Sequence, residues 1–129
     1  MTTPTRVLIA EDDEDIRGLV EVILRKAGVT VSSHADGISA ATAARSDAAD
    51  LYLFDVCMPG ITGLDLCRTL NADPDTRAPV LLMSANATAD DIAAGYAAGC
   101  ADYLPKPFST RDLLARITRL LDTPQPSAA

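Results

Sequence analysis

The stretch Val7-Leu8-Ile9-Ala10-Glu11-Asp12-Asp13 decides the fold, because four apolar residues are followed at once by three acidic ones. A short apolar run without polar alternation is typical of a strand that is buried on both faces of a sheet. Residues 51–54 and 80–83 form two more such runs, and each is followed by a polar residue. The sequence therefore predicts several buried strands that end in side chains capable of chemistry.

Amphipathic helical patterns alternate with these apolar runs. The clearest precedes Gly28 and has apolar residues spaced three or four positions apart, at Ile16, Leu19, Val20, Ile23, Leu24 and Ala27. Similar patterns predict helices over 37–45, 63–70, 88–99 and 109–121, and further strands over 29–34 and 101–104. Five strands that alternate with five helices predict an α/β fold, (βα)5, with a doubly wound parallel five-stranded sheet and right-handed crossovers.

The length and charge of the chain limit its class of function. At 129 residues it fits one domain, and we expect residues 1–122 to form it and 123–129 to be a flexible tail or the start of a linker. The net charge is −7 and no basic stripe is present, which argues against direct binding of nucleic acid. Five of the 18 acidic residues lie in 11–15, so the negative charge is concentrated at one corner.

The residue types in the sequence also limit the catalytic chemistry that the protein can perform and the cellular compartment in which it is expected. Three cysteines without a C-x-x-C pair indicate neither a disulfide framework nor a zinc site. His34 is the only histidine, which excludes most histidine-based catalytic arrangements. The apolar runs are far shorter than the roughly 20 residues of a membrane span, and no secretory leader is evident. We therefore predict a cytoplasmic protein that does not associate with membranes.

Polar side chains follow four of the predicted strands, at the edge where open α/β sheets bind their ligands. They are Glu11, Asp12, Asp55, Ser84 and Lys106. Three adjacent carboxylates repel one another unless they share a proton or hold a cation. Oxygen ligands without histidine or cysteine suit Mg²⁺, with Asp12 and Asp55 as direct ligands and Glu11 acting through water. A carboxylate beside such an ion, a hydroxyl and a lysine is arranged for phosphoryl transfer, with Asp55 as the nucleophile.

Simpler interpretations account for some acidic and polar residues. Asp13, Glu14 and Asp15 are better explained as acidic residues that stabilise the start of a helix. An aspartate after an apolar strand is often a turn residue, and Ser84 or Lys106 taken singly carries no information. It is the occurrence of all of them at consecutive strand ends that favours a shared site.

With their neighbours, these residues resemble the receiver domains of bacterial two-component response regulators, such as the chemotaxis response regulator, over about residues 6–121. Residues 7–13 resemble the acidic pair after the family's first strand. Residues 55–63, Asp-Val-Cys-Met-Pro-Gly-Ile-Thr-Gly, resemble the phosphoacceptor aspartate and the Met-Pro and Gly that follow it. Ser84-Ala85 resembles the Ser/Thr-Ala of the fourth strand, and residues 103–108, Tyr-Leu-Pro-Lys-Pro-Phe, resemble the aromatic switch position, the lysine and its proline.

The resemblance implies a flavodoxin-like sheet of strand order 2-1-3-4-5 and a set of roles at its carboxyl edge. Asp55 would accept a phosphoryl group from a histidine kinase or a phosphotransfer protein. Mg²⁺, or Mn²⁺ in its place, would be held by Asp12, Asp55, the backbone carbonyl of Cys57 and water, with Glu11 in the outer position. Lys106 would bind phosphate oxygens, and the Lys106-Pro107 bond is typically cis in relatives.

The resemblance also implies a conformational switch. Ser84 would bind and move toward the phosphate while Tyr103 turns inward, which alters the surface formed by the fourth helix, the fifth strand and the fifth helix. That surface would regulate a downstream protein or a fused output domain, and it is a candidate surface for a homodimer. The protein would then be a switch and not an enzyme, catalysing only its own phosphoryl transfer and dephosphorylation.

Other classes of protein fit the sequence less well. Phosphatases and mutases of the haloacid dehalogenase type carry a second aspartate two residues after the nucleophile, where this chain has Cys57. A flavodoxin-like cofactor binder needs a phosphate-binding loop after the first strand, and the acidic loop here would repel a flavin phosphate. A degenerate receiver is disfavoured by the intact set of site residues. The loop 71–77 resembles that of stand-alone, cyclase-linked and hybrid-kinase receivers, which disfavours a DNA-binding subclass.

Overall fold

The computed structural model describes residues 4–122, in which strand and helix alternate five times. The strands are β1 (Arg6–Ala10), β2 (Thr30–His34), β3 (Leu51–Asp55), β4 (Val80–Ser84) and β5 (Asp102–Pro105). The helices are α1 (Glu14–Lys26), α2 (Gly37–Ser46), α3 (Gly63–Ala72), α4 (Ala89–Ala97) and α5 (Thr110–Asp122). All ten predicted elements are present. The predicted tail, 123–129, lies outside the described residues.

The five strands form one parallel sheet in the order β2-β1-β3-β4-β5, which confirms the predicted topology. In this register Ala10 pairs with Phe54, Asp55 with Met83, and Ser84 with Pro105. The carboxyl ends of β1, β3, β4 and β5 therefore lie side by side along one edge. This edge carries the polar residues that the sequence placed after the strands.

Both faces of the sheet are covered, which explains why the runs 7–10, 51–54 and 80–83 in β1, β3 and β4 are apolar without polar alternation. Successive residues of β1 point to opposite sides: Val7 and Ile9 join the core beneath α1 and α5, while Leu8 and Ala10 join the core beneath α2, α3 and α4. Every residue of β3 and β4 is buried. The central strands thus provide a rigid support for the loops at their carboxyl ends.

Two residues of the apolar stripe predicted for α1 are exposed. Val20, Ile23 and Leu24 are buried against the sheet, but Leu19 is 55% exposed, and Ala27, the C-cap residue, is exposed as well. At about 100° per residue, Leu19 lies at the margin of the stripe, so the surface of the helix curves away from the sheet there. Leu19 is therefore a surface residue beside the carboxyl edge and does not belong to the core.

Side-chain caps fix the starts of three helices near this edge. Asp13 caps α1 by accepting hydrogen bonds from the amides of Asp15 and Ile16, which confirms the simpler interpretation of this acidic residue. Helices α3 and α4 begin with reciprocal capping boxes, formed by Thr62 with Asp65 and by Thr88 with Asp91. The starts of these helices are consequently held in place close to the polar residues of the site.

Candidate functional site

Three carboxylates meet at the carboxyl edge of the sheet. One side-chain oxygen from each of Glu11, Asp12 and Asp55 lies within 4.8 Å of the others. Glu11 is fully buried and Asp55 is 4% exposed, whereas Asp12 is open to solvent. Oxygen donors grouped in this way, with one side open to water, fit a hard divalent cation that keeps part of its hydration shell.

Lys106 is the cation that the fold brings to these carboxylates. Its Nζ lies 2.5 Å from Oε1 of Glu11 and 3.3 Å from Oδ1 of Asp55. The other oxygen of Glu11 accepts a hydrogen bond of 3.1 Å from the amide of Asp13. The peptide bond between Lys106 and Pro107 is cis. One ammonium against three carboxylates leaves the site with an excess of negative charge.

Burial and charged neighbours both act on the pKa values of Glu11 and Lys106. Burial raises the pKa of Glu11 to about 7, because the hydrogen bond from Lys106 does not fully offset the loss of hydration and Asp55 adds further repulsion. For Lys106 burial acts in the opposite sense, but the hydrogen bond to Glu11 and the charge of Asp55 outweigh it. The pKa of Lys106 therefore lies above its ordinary value, and this residue is an ammonium at neutral pH.

The loops after β3 and β4 meet across the site. The amide of Cys57 donates to Oδ1 of Asp55 at 3.4 Å, and the amide of Asn86 donates to Oγ of the fully buried Ser84 at 2.9 Å. The side-chain amide of Asn86 also donates to Sγ of Cys57, at 3.4 Å. Asp55 and Ser84, the last residues of β3 and β4, thus orient the loops that follow them.

Tyr103 lies inward, between β5 and the loop after β4. Only 4% of the residue is exposed, and its hydroxyl donates a hydrogen bond of 2.6 Å to the carbonyl oxygen of Asn86. Asn86 is two residues beyond Ser84, so the aromatic ring and the buried hydroxyl contact the same short loop. The structure therefore brings together all the predicted site residues, with Tyr103 at their periphery.

An ion-pair cluster on β5 and α5 was not predicted from the sequence. Asp102 is buried and accepts hydrogen bonds from Arg116 at 2.9 Å and from Arg119 at 2.6 Å. Arg116 also donates to the carbonyl oxygen of Tyr103, at 2.9 Å. The sequence feature that could have indicated this cluster is the three-residue spacing of Arg116 and Arg119, which places both on one face of α5. The cluster holds α5 against the strand that carries Tyr103.

Comparison with known proteins identifies the family to which this chain belongs. A family model for the response regulator receiver domain matches residues 7–118. The chain belongs to this family. This agrees with the family that the motifs in 7–13, 55–63 and 103–108 indicated.

Curated relatives of this receiver domain include a transcriptional regulatory protein and a DNA-binding response regulator. It is 38% identical over 121 residues to the transcriptional regulatory protein CseB of Streptomyces coelicolor, which covers 94% of this chain and 51% of the relative. It is 34% identical over 116 residues to the DNA-binding response regulator MtrA of Mycobacterium tuberculosis, and the match covers 90% of this chain and 50% of the relative. The chain therefore spans about half the length of the curated relatives it matches. These names do not support the interpretation of loop 71–77 as a sign against a DNA-binding subclass.

Solved structures agree with the assignment. A putative response regulator from Chloroflexus aurantiacus superimposes with a TM-score of 0.89 at 34% identity, over 94% of this chain and all of that one. The receiver domain of a sensor histidine kinase from Pseudomonas aeruginosa superimposes with a TM-score of 0.86 at 30% identity, over 94% of this chain and all of that one. It is described with a magnesium ion in its active-site cleft. Within residues 4–122, no helix is long and apolar enough to cross a membrane.

Proposed function

We propose that this receiver domain is a phosphorylation-activated switch in which Asp55 accepts a phosphoryl group from a histidine kinase or a phosphotransfer protein. The observation that carries this proposal is the cluster of Glu11, Asp12 and Asp55 with Lys106 at the carboxyl edge. Asp55 ends the central strand, is held by its neighbours and lies within reach of a charged lysine. These are the properties that a carboxylate nucleophile needs.

A divalent cation fits the donor set. We assign Asp12, Asp55 and the backbone carbonyl of Cys57 as its ligands, with Glu11 acting through water, and Mg²⁺ as the ion, with Mn²⁺ able to replace it. When bound, the ion offsets the negative charge of the phosphoryl oxygens. The excess of negative charge in the site and the magnesium site of the Pseudomonas aeruginosa receiver domain support this assignment.

The chain's own residues account for the transfer. An oxygen of Asp55 attacks the phosphorus of the donor's phosphohistidine, so that a P–O bond forms while the P–N bond breaks and its electron pair stays on the imidazole. Lys106, which now contacts Glu11 and Asp55, would bind a phosphoryl oxygen as charge arrives on Asp55. Ser84 would bind a second oxygen through its hydroxyl, and in doing so exchange its contact with the amide of Asn86.

The output of the switch is a change in the surface of α4, β5 and α5. Tyr103 links this surface to the site, since its hydroxyl contacts the loop that begins at Ser84. We propose that the surface regulates a downstream protein or an output domain, or pairs two copies of the domain. Apart from its own phosphorylation and dephosphorylation the domain would be no enzyme, would bind no nucleic acid itself and would act in the cytoplasm. The longer curated relatives support a fused output domain.

The test is phosphorylation by a small-molecule donor. Incubation with acetyl phosphate and Mg²⁺ should add one phosphoryl mass to the intact chain, and hydroxylamine should remove it. The variant Asp55→Asn should gain no such mass, while Asp75→Asn, an exposed aspartate at the opposite end of the sheet, should gain it as the wild type does. Equal labelling of Asp55→Asn and the wild type would overturn the proposal.

A further inference from the structure

We propose that Gly95 is a positioning residue of the switch, which leaves open the space on α4 that the ring of Tyr103 needs in order to lie inward. The inference rests on the proposed function, because it concerns the residue through which phosphorylation would reach the surface. Gly95 is buried in the interior of α4 and faces β5.

The contact between Gly95 and Tyr103 is too close for any larger residue. A Cβ atom at position 95 would lie 2.7 Å from Cδ2 and 3.0 Å from Cε2 of Tyr103, and 3.3 Å from Cδ1 of Leu82. Carbon atoms in contact are normally about 3.5–4.0 Å apart. The obstacle is one side of a rigid ring, at Cδ2 and Cε2, and not the far end of a flexible side chain that a small rotation could move away.

The ring cannot retreat without losing its other contacts. The backbone of Tyr103 is held in the sheet, where it pairs with Leu82, and its hydroxyl is bound to the carbonyl oxygen of Asn86. Arg116 fixes the carbonyl of Tyr103 from the other side. A side chain at position 95 would therefore either push the helix away from the sheet or turn the ring outward and break its hydrogen bond.

No other property of α4 calls for glycine at this position. Gly95 is helical, whereas the glycines of positive φ are Gly28, Gly60 and Gly99. In a helix interior glycine is less favourable than alanine, because it loses more backbone freedom on folding. The close approach of the ring is the feature of the structure that accounts for it.

The test compares Gly95→Ala with Gly18→Ala. Gly18 lies in the interior of α1, where an added Cβ atom would meet no described atom within 4 Å beyond the backbone of its own helix, so it controls for the effect of alanine on a helix. The readout is the ¹⁹F spectrum of fluorotyrosine-labelled protein, which carries three tyrosines, with the Tyr103 signal assigned by Tyr103→Phe. Gly95→Ala should shift the Tyr103 signal and expose it to a soluble paramagnetic quencher, whereas Gly18→Ala should leave it unchanged.

A second readout is the affinity for beryllofluoride, a mimic of the phosphoryl group, in the presence of Mg²⁺. Gly95→Ala should weaken it about fivefold, the factor that corresponds to one lost hydrogen bond. In a Tyr103→Ala background the same substitution should have no further effect, because the ring is gone, and it should stabilise the fold as Gly18→Ala does. A merely structural role for Gly95 would give the same loss in both backgrounds.

Each outcome decides the inference. An unchanged Tyr103 signal in Gly95→Ala, or an equal loss of affinity with and without the ring, would overturn it. If Gly95→Ala alone does not fold, the double variant with Tyr103→Ala should fold, and its failure would also overturn the inference. If the wild type binds no beryllofluoride, the role of Asp55 fails, while the spectra and the stabilities still decide the role of Gly95.

Discussion

Glu11 is the residue whose ionisation the fold changes most clearly within the site. Burial raises its pKa from 4.5 to about 7, so the folded chain binds a proton more tightly there than the unfolded chain does. The contribution of this carboxyl to stability is therefore fully present below pH 4.5 and is lost as the pH rises through about 7.

The prediction from Glu11 is that Glu11→Gln flattens the dependence of stability on pH between about 4.5 and 7. It is measured as the free energy of unfolding in denaturant, with a chelator present to keep metals from the site. Glu14→Gln, which removes an exposed carboxylate in the first turn of α1, is the control and should keep the wild-type profile. The same slope in both variants would contradict a raised pKa at Glu11.

The three cysteines should differ sharply in reactivity. Burial raises the pKa of Cys67 to about 11 and that of Cys100 to about 12, so almost no thiolate forms at either position near pH 8, whereas Cys57 is exposed. Native protein treated with iodoacetamide should gain one adduct, on Cys57, and unfolded protein three. Cys57→Ser should gain none while folded. Modification of Cys67 or Cys100 at the rate of Cys57 would contradict this assignment of burial.

At the residue scale the sequence predicted which side chains meet at the carboxyl edge of the sheet, but not how they pair. Asp55, Ser84 and Lys106 were found because each follows an apolar run at a strand end, and a parallel sheet brings such ends together. The contact of Lys106 with Glu11 joins residues 95 positions apart and depends on the path of the loop after β5. No periodicity in the sequence specifies that path.

Among the elements, α3 has the start that most directly holds the loop after Asp55. The hydroxyl of Thr62 accepts a hydrogen bond of 3.1 Å from the amide of Asp65, whose carboxylate accepts one of 3.2 Å from the amide of Thr62. The amide of Gly63 donates to the carbonyl of Val56, which ties the helix start to the end of β3. The cap therefore closes the loop 56–62 between Asp55 and α3.

The prediction for this element is that Thr62→Ala lowers the free energy of unfolding by about 1 kcal/mol, the usual value of an N-cap. Thr69→Ala is the matched control. Thr69 is an exposed threonine in the interior of α3, where alanine is the better helix former, so its replacement should be neutral or slightly stabilising. Equal losses in both variants, measured by chemical denaturation, would show that the cap contributes nothing specific.

The strands and helices were predictable because apolar residues follow a different spacing in each. The strands β1, β3 and β4 contain unbroken apolar runs and the helices show apolar stripes, whereas β2 and β5 mix polar and apolar residues. All ten elements were identified, with small errors at their ends. Leu19 belongs to the predicted stripe of α1 and is nevertheless exposed, because a stripe does not reveal where a helix surface curves away from a sheet. The pairing of Asp102 with Arg116 was missed because it joins two elements whose separation only the packed structure fixes.

For the molecule as a whole, the distribution of charge favours metal binding. Outside residues 11–15 the chain has thirteen acidic residues against 11 basic ones, so the surface away from the site is close to neutral. Lys106 supplies one positive charge against the three carboxylates of the site, which therefore still repel one another in the absence of a divalent cation. Folding without metal should therefore be opposed at this one corner and promoted when a divalent cation binds.

The prediction is that Mg²⁺ stabilises the wild-type fold, by about 2.7 kcal/mol at a concentration of about 100 times Kd. Asp12→Asn should raise the stability of the metal-free protein, since it relieves repulsion, and remove most of the gain from Mg²⁺. Asp15→Asn, which removes a charge in the first turn of α1 outside the cluster, should keep that gain. Thermal unfolding with and without Mg²⁺ gives both quantities. An undiminished gain in Asp12→Asn would exclude Asp12 as a ligand.

The architecture of the whole domain follows from the sequence because alternating strands and helices leave few topologies open. Its partners do not follow in the same way. The surface of α4, β5 and α5 is built from small, aromatic and charged residues whose specificity depends on a complementary surface on another molecule or domain. The curated relatives are about twice as long as this chain.

The most direct test of the central claim is the identity of the phosphorylated residue. Protein treated with acetyl phosphate and Mg²⁺ is reduced with borohydride, which converts an aspartyl phosphate to homoserine, and is then digested and sequenced by mass spectrometry. We predict homoserine at position 55 alone, dependent on Mg²⁺ and absent from untreated protein. Homoserine at Asp12 or at any other aspartate, with Asp55 intact, would contradict it.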